Sequence, residues 1–187
     1  STFSGNTSDG AGGAIYFDQL AEGTLTHCTL ANNTGVYGGA ISNHGMMTVR
    51  YCILANNTAS VNGATADVEN NGFNGGTFTR VGVNLIRIFA NTSGGADSGP
   101  TALTIDPLLL PLANNGGPTQ TLAFSSASPV RNAAVGSTST TDQRGVVMQS
   151  TPDLGAYEMQ NRSTFALSAA AYSAYEGGVE EIVILRS

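Results

Sequence analysis

Charged residues are scarce in this chain of 187 residues, where they make up only 11% of the sequence. Lysine and tryptophan are absent, all seven basic residues are arginines, and the net charge is −6. Without a cluster of basic residues to displace counterions from phosphates, the composition argues against a nucleic-acid partner. The hydrophobic fraction of 41% is nevertheless enough for a packed core, which separates this chain from charge-rich disordered tails.

Long apolar runs and metal-binding or catalytic motifs are also missing. No stretch approaches roughly 18 consecutive apolar residues, so no transmembrane segment is predicted. The two cysteines and two histidines are too isolated for a structural zinc site, and the motif Gly-x-Ser-x-Gly does not occur. A catalytic pair of His27 and Cys28 is not expected, because neighbouring residues of a strand face opposite sides. We expect His27 and His44 to be surface or turn residues.

Three segments of similar sequence begin 27 and 24 residues apart, and a Gly-Gly-Ala-Ile motif repeats in step with them. The segments are Ser1–Thr7 (STFSGNT), Cys28–Thr34 (CTLANNT) and Cys52–Thr58 (CILANNT). This period is too short for ankyrin or tetratricopeptide repeats, and it fits one β-helix coil of three short strands joined by turns. The sequence therefore predicts an all-β fold, a right-handed parallel β-helix of about four coils.

Stacking of coils would place equivalent residues above one another at the parallel-strand spacing of about 4.8 Å. Apolar residues then form interior columns, and stacked asparagines pass amide hydrogen bonds from coil to coil. The predicted columns are Phe3, Leu30 and Leu54; Ile15 and Ile41; and Asn6, Asn33 and Asn57.

The alternation of Gly-Gly-Ala-Ile with Phe/Leu-x-x-Asn resembles the repeat of chlamydial polymorphic outer-membrane proteins and related bacterial β-helix adhesins. A later series of motifs resembles the choice-of-anchor Q region at the end of bacterial surface β-helices. In order, these motifs are Asn84–Ile86, Asp106–Leu109, Leu112–Thr119, Ser128–Val130, Thr141–Gly145 and Asp153–Glu158. The resemblance implies a secreted, cell-surface or anchored protein without a defined catalytic centre.

The C-terminal segment from Phe165 to Ser187 resembles the first two strands of a Calx-β domain. In some members of that family the Glu of a Glu-Gly pair helps to bind calcium, and Glu176 occupies the matching position. The other ligands would lie beyond Ser187, so we expect no metal or other cofactor in this chain. The predicted organisation is β-helix coils over 1–105, a closing segment over 106–160, and a linker with a partial β-sandwich strand pair over 161–187.

Cys28 and Cys52 occupy the same position of the repeat in consecutive coils. If both point inward, their Cα atoms lie within the range that a disulfide spans. Parallel strands can also aim both side chains the same way, which would leave a column of buried free thiols. Both interpretations stay open.

An acidic pair supplies the enzymatic alternative, a polysaccharide lyase or glycosidase. Asp67 and Glu69 would share a strand face, with Arg80 or Arg87 on the next coil, and carbohydrate cleavage uses carboxylates close together on one face. Because this acidic pair does not repeat and a turn follows it, we expect a solvated loop edge instead.

A second charged group lies in the closing segment. Asp142, Arg144, Asp153 and Glu158 fall in the anchor-like motifs, and we expect Arg144 to form a partly buried ion pair with Asp153 or Glu158 that closes the end of the helix.

The sequence thus favours a non-enzymatic extracellular scaffold, a stalk or fibre segment. Its expected partners are copies of itself or adjoining domains, with surface glycans or host proteins as further candidates. The alternative to a stalk is a filament subunit, because uncapped strand edges can recruit another chain by strand addition.

Overall fold

The structure is a computed structural model that describes residues 1–61 and 67–160. Its strands form three four-stranded sheets and one two-stranded sheet. Sheet 1 contains β1 (Thr2–Ser4), β4 (Thr29–Ala31), β8 (Ile53–Ala55) and β12 (Leu85–Ile86). Sheet 2 contains β2 (Ile15–Phe17), β6 (Ile41–Asn43), β10 (Val68–Asn71) and β13 (Phe89–Thr92). Sheet 3 contains β3 (Glu22–Thr26), β7 (Met46–Arg50), β11 (Thr77–Val81) and β14 (Ala96–Ser98), and β5 (Thr34–Gly35) pairs with β9 (Thr58–Ala59).

Every pair of neighbouring strands in these sheets is parallel. The chain contributes one strand to sheet 1, one to sheet 2 and one to sheet 3, in that order, and does so four times. We call each such round through the three sheets a pass. Within the described residues the only helix is a 3-10 turn at Gly72–Asn74, and none is long and apolar enough to cross a membrane. The prediction of an all-β chain with parallel strands is confirmed.

The register of the strands aligns the repeated residues. Phe3 pairs with Leu30 and Leu30 with Leu54 in sheet 1, while Ile15 pairs with Ile41 in sheet 2. These side chains pack in one core enclosed by the three sheets, together with Met47, Val49 and Phe78 among others. Since burial of one large apolar side chain contributes about 1.5–3 kcal/mol, this core is a main source of stability.

Left-handed residues mark the corners between the sheets. Asn32 and Asn56 follow β4 and β8 with φ of 60°, and Gly5 follows β1 with φ of 70°. Asparagine is one of the few non-glycine residues that enters this region readily. The first asparagine of each Ala-Asn-Asn-Thr segment therefore serves the turn, and the second is left to bond inside.

The closing segment lies along the outer face of sheet 1. Ile53, Ala55 and Leu85 point outward from that sheet and form a second core with residues such as Phe124 and Leu154. Sheet 1 is therefore buried on both faces, which explains the continuous apolar run Cys-Ile-Leu-Ala at 52–55. The sequence predicted that this segment closes the end of the strand stack. In the structure the segment lies along the side of the stack instead.

Candidate functional site

Asp67 stands at the end of an asparagine ladder. The Asn6 amide donates to Asn33 Oδ1 (2.8 Å), Asn33 donates to Asn57 Oδ1 (2.9 Å), and Asn57 donates to Asp67 Oδ1 (2.8 Å). At each step the same oxygen also accepts the backbone N–H of the preceding ladder residue. The ladder joins the three predicted asparagines and continues to a carboxylate that the sequence did not connect with them.

The second Asp67 oxygen, Oδ2, accepts the backbone N–H of Ile88 at 2.9 Å. Asp67 is only 1% exposed, and burial raises the pKa of its carboxyl, while the hydrogen bonds from Asn57 and Ile88 oppose that shift. Both oxygens are thus engaged in holding backbone and amide groups of the third and fourth passes.

Glu69 is held by hydroxyl groups of the neighbouring passes. Its Oε2 accepts from Ser42 Oγ at 2.6 Å, and its Oε1 accepts from Thr92 Oγ1 at 2.7 Å. His44 Nε2 lies 3.7 Å from Oε2, and the His44 ring meets the edge of Tyr16. The expected solvated loop edge is wrong for both Asp67 and Glu69, since each is buried among hydrogen-bond donors.

The two candidate arginines lie at an open groove beside the last pass. The groove has a volume of about 530 Å³, and Ile86, Ile88, Phe89 and Thr101 are among its lining residues. Arg80 is committed there to Asp97, with Nη1 2.6 Å from Oδ1, and to the Pro100 carbonyl. Arg87 donates to Asn56 Oδ1 at 2.9 Å and is exposed. The buried carboxylates and this groove do not combine into a site with two free acidic groups.

The closing segment contains a buried ion pair between Arg144 and Asp142. Arg144 Nη2 lies 2.7 Å and Nε 2.8 Å from Asp142 Oδ2, and the guanidinium carbon lies 3.8 Å from the centre of the Tyr157 ring. Arg144 also donates to the backbone carbonyls of Asn115 and Glu158. The predicted pairing with the Asp153 or Glu158 carboxylate is therefore wrong, because a tight turn brings Asp142 to the guanidinium instead.

The carboxylates of Asp153 and Glu158 accept hydrogen bonds from backbone N–H groups and do not pair with the Arg144 guanidinium. The Asp153 carboxylate accepts the N–H groups of Asn132 and Met159, both at 2.6 Å. Glu158 accepts those of Gln149 and of Asp153 itself. Burial raises the pKa of Asp153 to about 6, against the effect of its two N–H donors.

His27 joins the first pass to the closing segment. It is a turn residue with φ of 45°, as expected, but it is buried and not at the surface. Its Nε2 lies 2.7 Å from Ser137 Oγ, and its ring stacks on Tyr51 with centroids 5.2 Å apart. Burial lowers the pKa of His27. Sequence reasoning missed this contact because Ser137 lies 110 residues further along the chain.

Cys28 and Cys52 are both buried and carry free thiols. Among residues 1–61 and 67–160, no group of three or more His, Cys, Asp or Glu side chains is arranged to hold a metal ion. Glu176, the calcium candidate, lies outside the described residues.

Comparison with known proteins gives no match: no family model, no curated protein and no solved structure is significantly similar to this chain.

Proposed function

We propose that this chain is a segment of a right-handed parallel β-helix that serves as a non-enzymatic scaffold on the bacterial cell surface. Each pass would be one coil, and the whole would be a stalk or fibre segment that holds other domains away from the cell. The observation that carries this proposal is the burial of five acidic side chains that the sequence analysis singled out. Asp67, Glu69, Asp142, Asp153 and Glu158 are all buried and accept hydrogen bonds from the protein itself.

Glycosidases and polysaccharide lyases need carboxylates that face the substrate. Each of these five carboxylates instead lies inside the protein and accepts internal hydrogen bonds, and its removal leaves buried donors unpaired. The arrangement therefore supports a structural role for these acids more than a catalytic one.

The stacked strands supply the second support. Four passes in register, with polar ladders inside, suit an element whose length can grow by adding coils. The surface location rests on the resemblance of the motifs at 106–109, 112–119 and 153–158 to the anchor region of bacterial surface β-helices.

An assay for polysaccharide cleavage tests the scaffold against the enzyme. The purified chain is incubated with acidic and neutral polysaccharides, with and without calcium, and we expect no cleavage products. Cleavage that disappears in Arg87→Gln would overturn the proposal, because this exposed groove residue can be replaced without disturbing the core. Negative-stain micrographs of the same sample distinguish the stalk from a filament subunit, since only the latter forms regular fibres.

Antibody labelling tests the location. Antibodies against the folded chain should label intact source cells as strongly as permeabilised ones. Labelling that appears only after permeabilisation would contradict the surface assignment and leave the non-enzymatic scaffold to be judged by the cleavage assay alone.

A further inference from the structure

Cys28 and Cys52 stand side by side in consecutive passes. The strand residues before them pair as Thr26 with Arg50, and those after them pair as Thr29 with Ile53, so the two cysteines share one register. The Ile53 N–H donates to the Cys28 carbonyl at 2.9 Å, which links the two corners directly. Neighbouring parallel strands lie about 4.8 Å apart, and disulfides join Cα atoms about 4.4–6.8 Å apart.

Both thiols also point to the same place. The two cysteines belong to the core enclosed by the three sheets. Cys28 Sγ lies 3.4 Å from the Thr26 carbonyl, and Cys52 Sγ lies between two carbonyls, 3.3 Å from that of Arg50 and 3.4 Å from that of Leu25. Leu25 and Thr26 are adjacent residues at the end of β3, so the Cys52 sulfur reaches across to the pass that contains Cys28.

Formation of a disulfide requires a small movement at this corner. A disulfide needs the Cβ atoms about 3.5–4.5 Å apart, slightly closer than in-register parallel residues. Neither cysteine belongs to a strand, and each follows a left-handed residue, His27 with φ of 45° and Tyr51 with φ of 54°. The Cys52 N–H donates to Asn84 Oδ1 and the Cys52 carbonyl accepts the Leu85 N–H, so the movement has to come mainly from Cys28.

The two thiols differ in reactivity. The neighbouring Cys52 thiol lowers the pKa of Cys28, and burial raises the pKa of Cys52. Cys28 is also the less buried of the two. Because the thiolate is the nucleophile in thiol–disulfide exchange, Cys28 is the residue that reacts first and Cys52 is the one that resolves the intermediate.

We propose that Cys28 and Cys52 are a redox pair, which a small-molecule disulfide such as oxidised glutathione converts to a covalent bond between the first two passes. The Cys28 thiolate attacks one glutathione sulfur, so a mixed disulfide forms and one glutathione leaves. Cys52 then attacks the Cys28 sulfur and releases the second glutathione. Two protein thiols are oxidised to one disulfide, one glutathione disulfide is reduced to two thiols, and both protons pass to the glutathione products.

The reduced and oxidised chains are expected to differ in stability. The bond closes the loop between residues 28 and 52 and restricts the unfolded chain, which corresponds to a rise in Tm of about 5–10 °C for a chain of this size. The first two passes would then separate only after reduction.

Mass spectrometry tests the pair on the folded full chain. After treatment with oxidised glutathione, we expect the intact mass to fall by about 2 Da, the mass of two hydrogens. Trypsin cleaves after Arg50, which lies between the two cysteines, and next after Arg80. The digest of the alkylated, unreduced sample should therefore contain peptides 1–50 and 51–80 joined together, and reduction should separate them.

Single-cysteine variants provide the controls. Cys52→Ser keeps a hydroxyl that can donate to the Cys28 sulfur and should carry one glutathione on Cys28, whereas Cys28→Ser should stay largely unmodified, and neither should show the rise in Tm. If the wild type keeps both thiols reduced, or carries glutathione on each cysteine without joined peptides, the pair does not exist. This result would leave the proposed scaffold function untouched, because that function is judged by cleavage and by location.

Discussion

At the scale of single residues, the ion pair between Asp142 and Arg144 shows how the protein accommodates buried charges. Asp142 accepts four hydrogen bonds, one from Arg144 Nε and three from the backbone N–H groups of Arg144, Val146 and Glu158, and Arg144 Nη2 lies 2.7 Å from its Oδ2. Its side chain is completely buried, and that of Arg144 is 8% exposed. Apolar residues in place of both partners can give a protein that is equally stable, but the loss of one partner leaves the other as a buried charge without a counter-charge.

Arg144→Ala is expected to lower the free energy of unfolding by about 3 kcal/mol, because it leaves the Asp142 carboxylate buried without its counter-charge. Urea denaturation followed by circular dichroism measures the change. The matched control is Arg80→Ala, which removes the partner of the Asp97 carboxylate, and this loss should cost clearly less because the Asp97 side chain is 28% exposed and stays solvated. Equal losses in the two variants would show that the burial of the Asp142 carboxylate has no special consequence.

The sequence predicted that Arg144 is buried in an ion pair but not its partner. Asp142 and Arg144 belong to one tight turn, in which the Gly145 N–H donates to the Asp142 carbonyl and Gly145 has φ of 81°. The Asp142 side chain folds back over this turn and meets the guanidinium. The signal was the Asp-Gln-Arg-Gly sequence, whose terminal glycine indicates a turn in which residues two apart can face each other.

At the scale of elements, repetition determined what could be predicted. Asn6, Asn33 and Asn57 recur in nearly identical segments, so their common role was visible in the sequence. A second ladder, from Asn43 to Asn70 and from Asn70 to Asn91, has the same physical basis but was missed. Its members sit in dissimilar surroundings, and only the pairing of β6, β10 and β13 aligns them.

Asp67 is a second residue whose role the repeats could not reveal. It lies ten residues after Asn57, less than half a repeat, so no periodic pattern connects the two. Its role depends on a chain path that returns to the end of the ladder. A lone acidic residue before a strand therefore suggested an exposed edge, although the three-dimensional path buries it.

The ladder predicts unequal costs for its asparagines. Asn57 is buried and bonds to Asn33, Asp67, Leu30 and Ala55, so Asn57→Ala should lower the free energy of unfolding by about 2–4 kcal/mol. Asn6 stands at the exposed end, and Asn6→Ala should cost less than about 1 kcal/mol. Thermal and urea unfolding of the two variants compare them directly. A cost for Asn6→Ala as large as that for Asn57→Ala would contradict a ladder whose effect comes from buried donors and acceptors.

At the scale of the whole molecule, the passes relate to one another by register. Thr26 of the first pass aligns with Arg50 of the second, 24 residues later, and Thr29 aligns with Ile53 at the same distance. Removal of residues 28–51 would therefore join His27 directly to Cys52. Because His27 and Tyr51 are equivalent positions of the repeat, the phase of the strands would be kept. After this deletion β1 would meet β8, β2 would meet β10, and β3 would meet β11.

If the passes are stacked coils, this in-phase deletion should still give a folded chain, because each coil contacts only its neighbours and the remaining coils can pair directly. We expect a β-sheet circular dichroism spectrum and a cooperative melt at a lower Tm, since one layer of core and the contacts of Thr29 and Tyr51 with the closing segment are lost. The control deletes residues 28–39, which joins His27 to Ala40, removes β4 and puts β6 and β7 out of phase with β2 and β3, their neighbours in the first pass. That shorter deletion should abolish the cooperative melt. A chain that tolerates the half-period deletion as well as the full one, or that tolerates neither, would contradict stacked coils and with them the physical basis of the proposed scaffold.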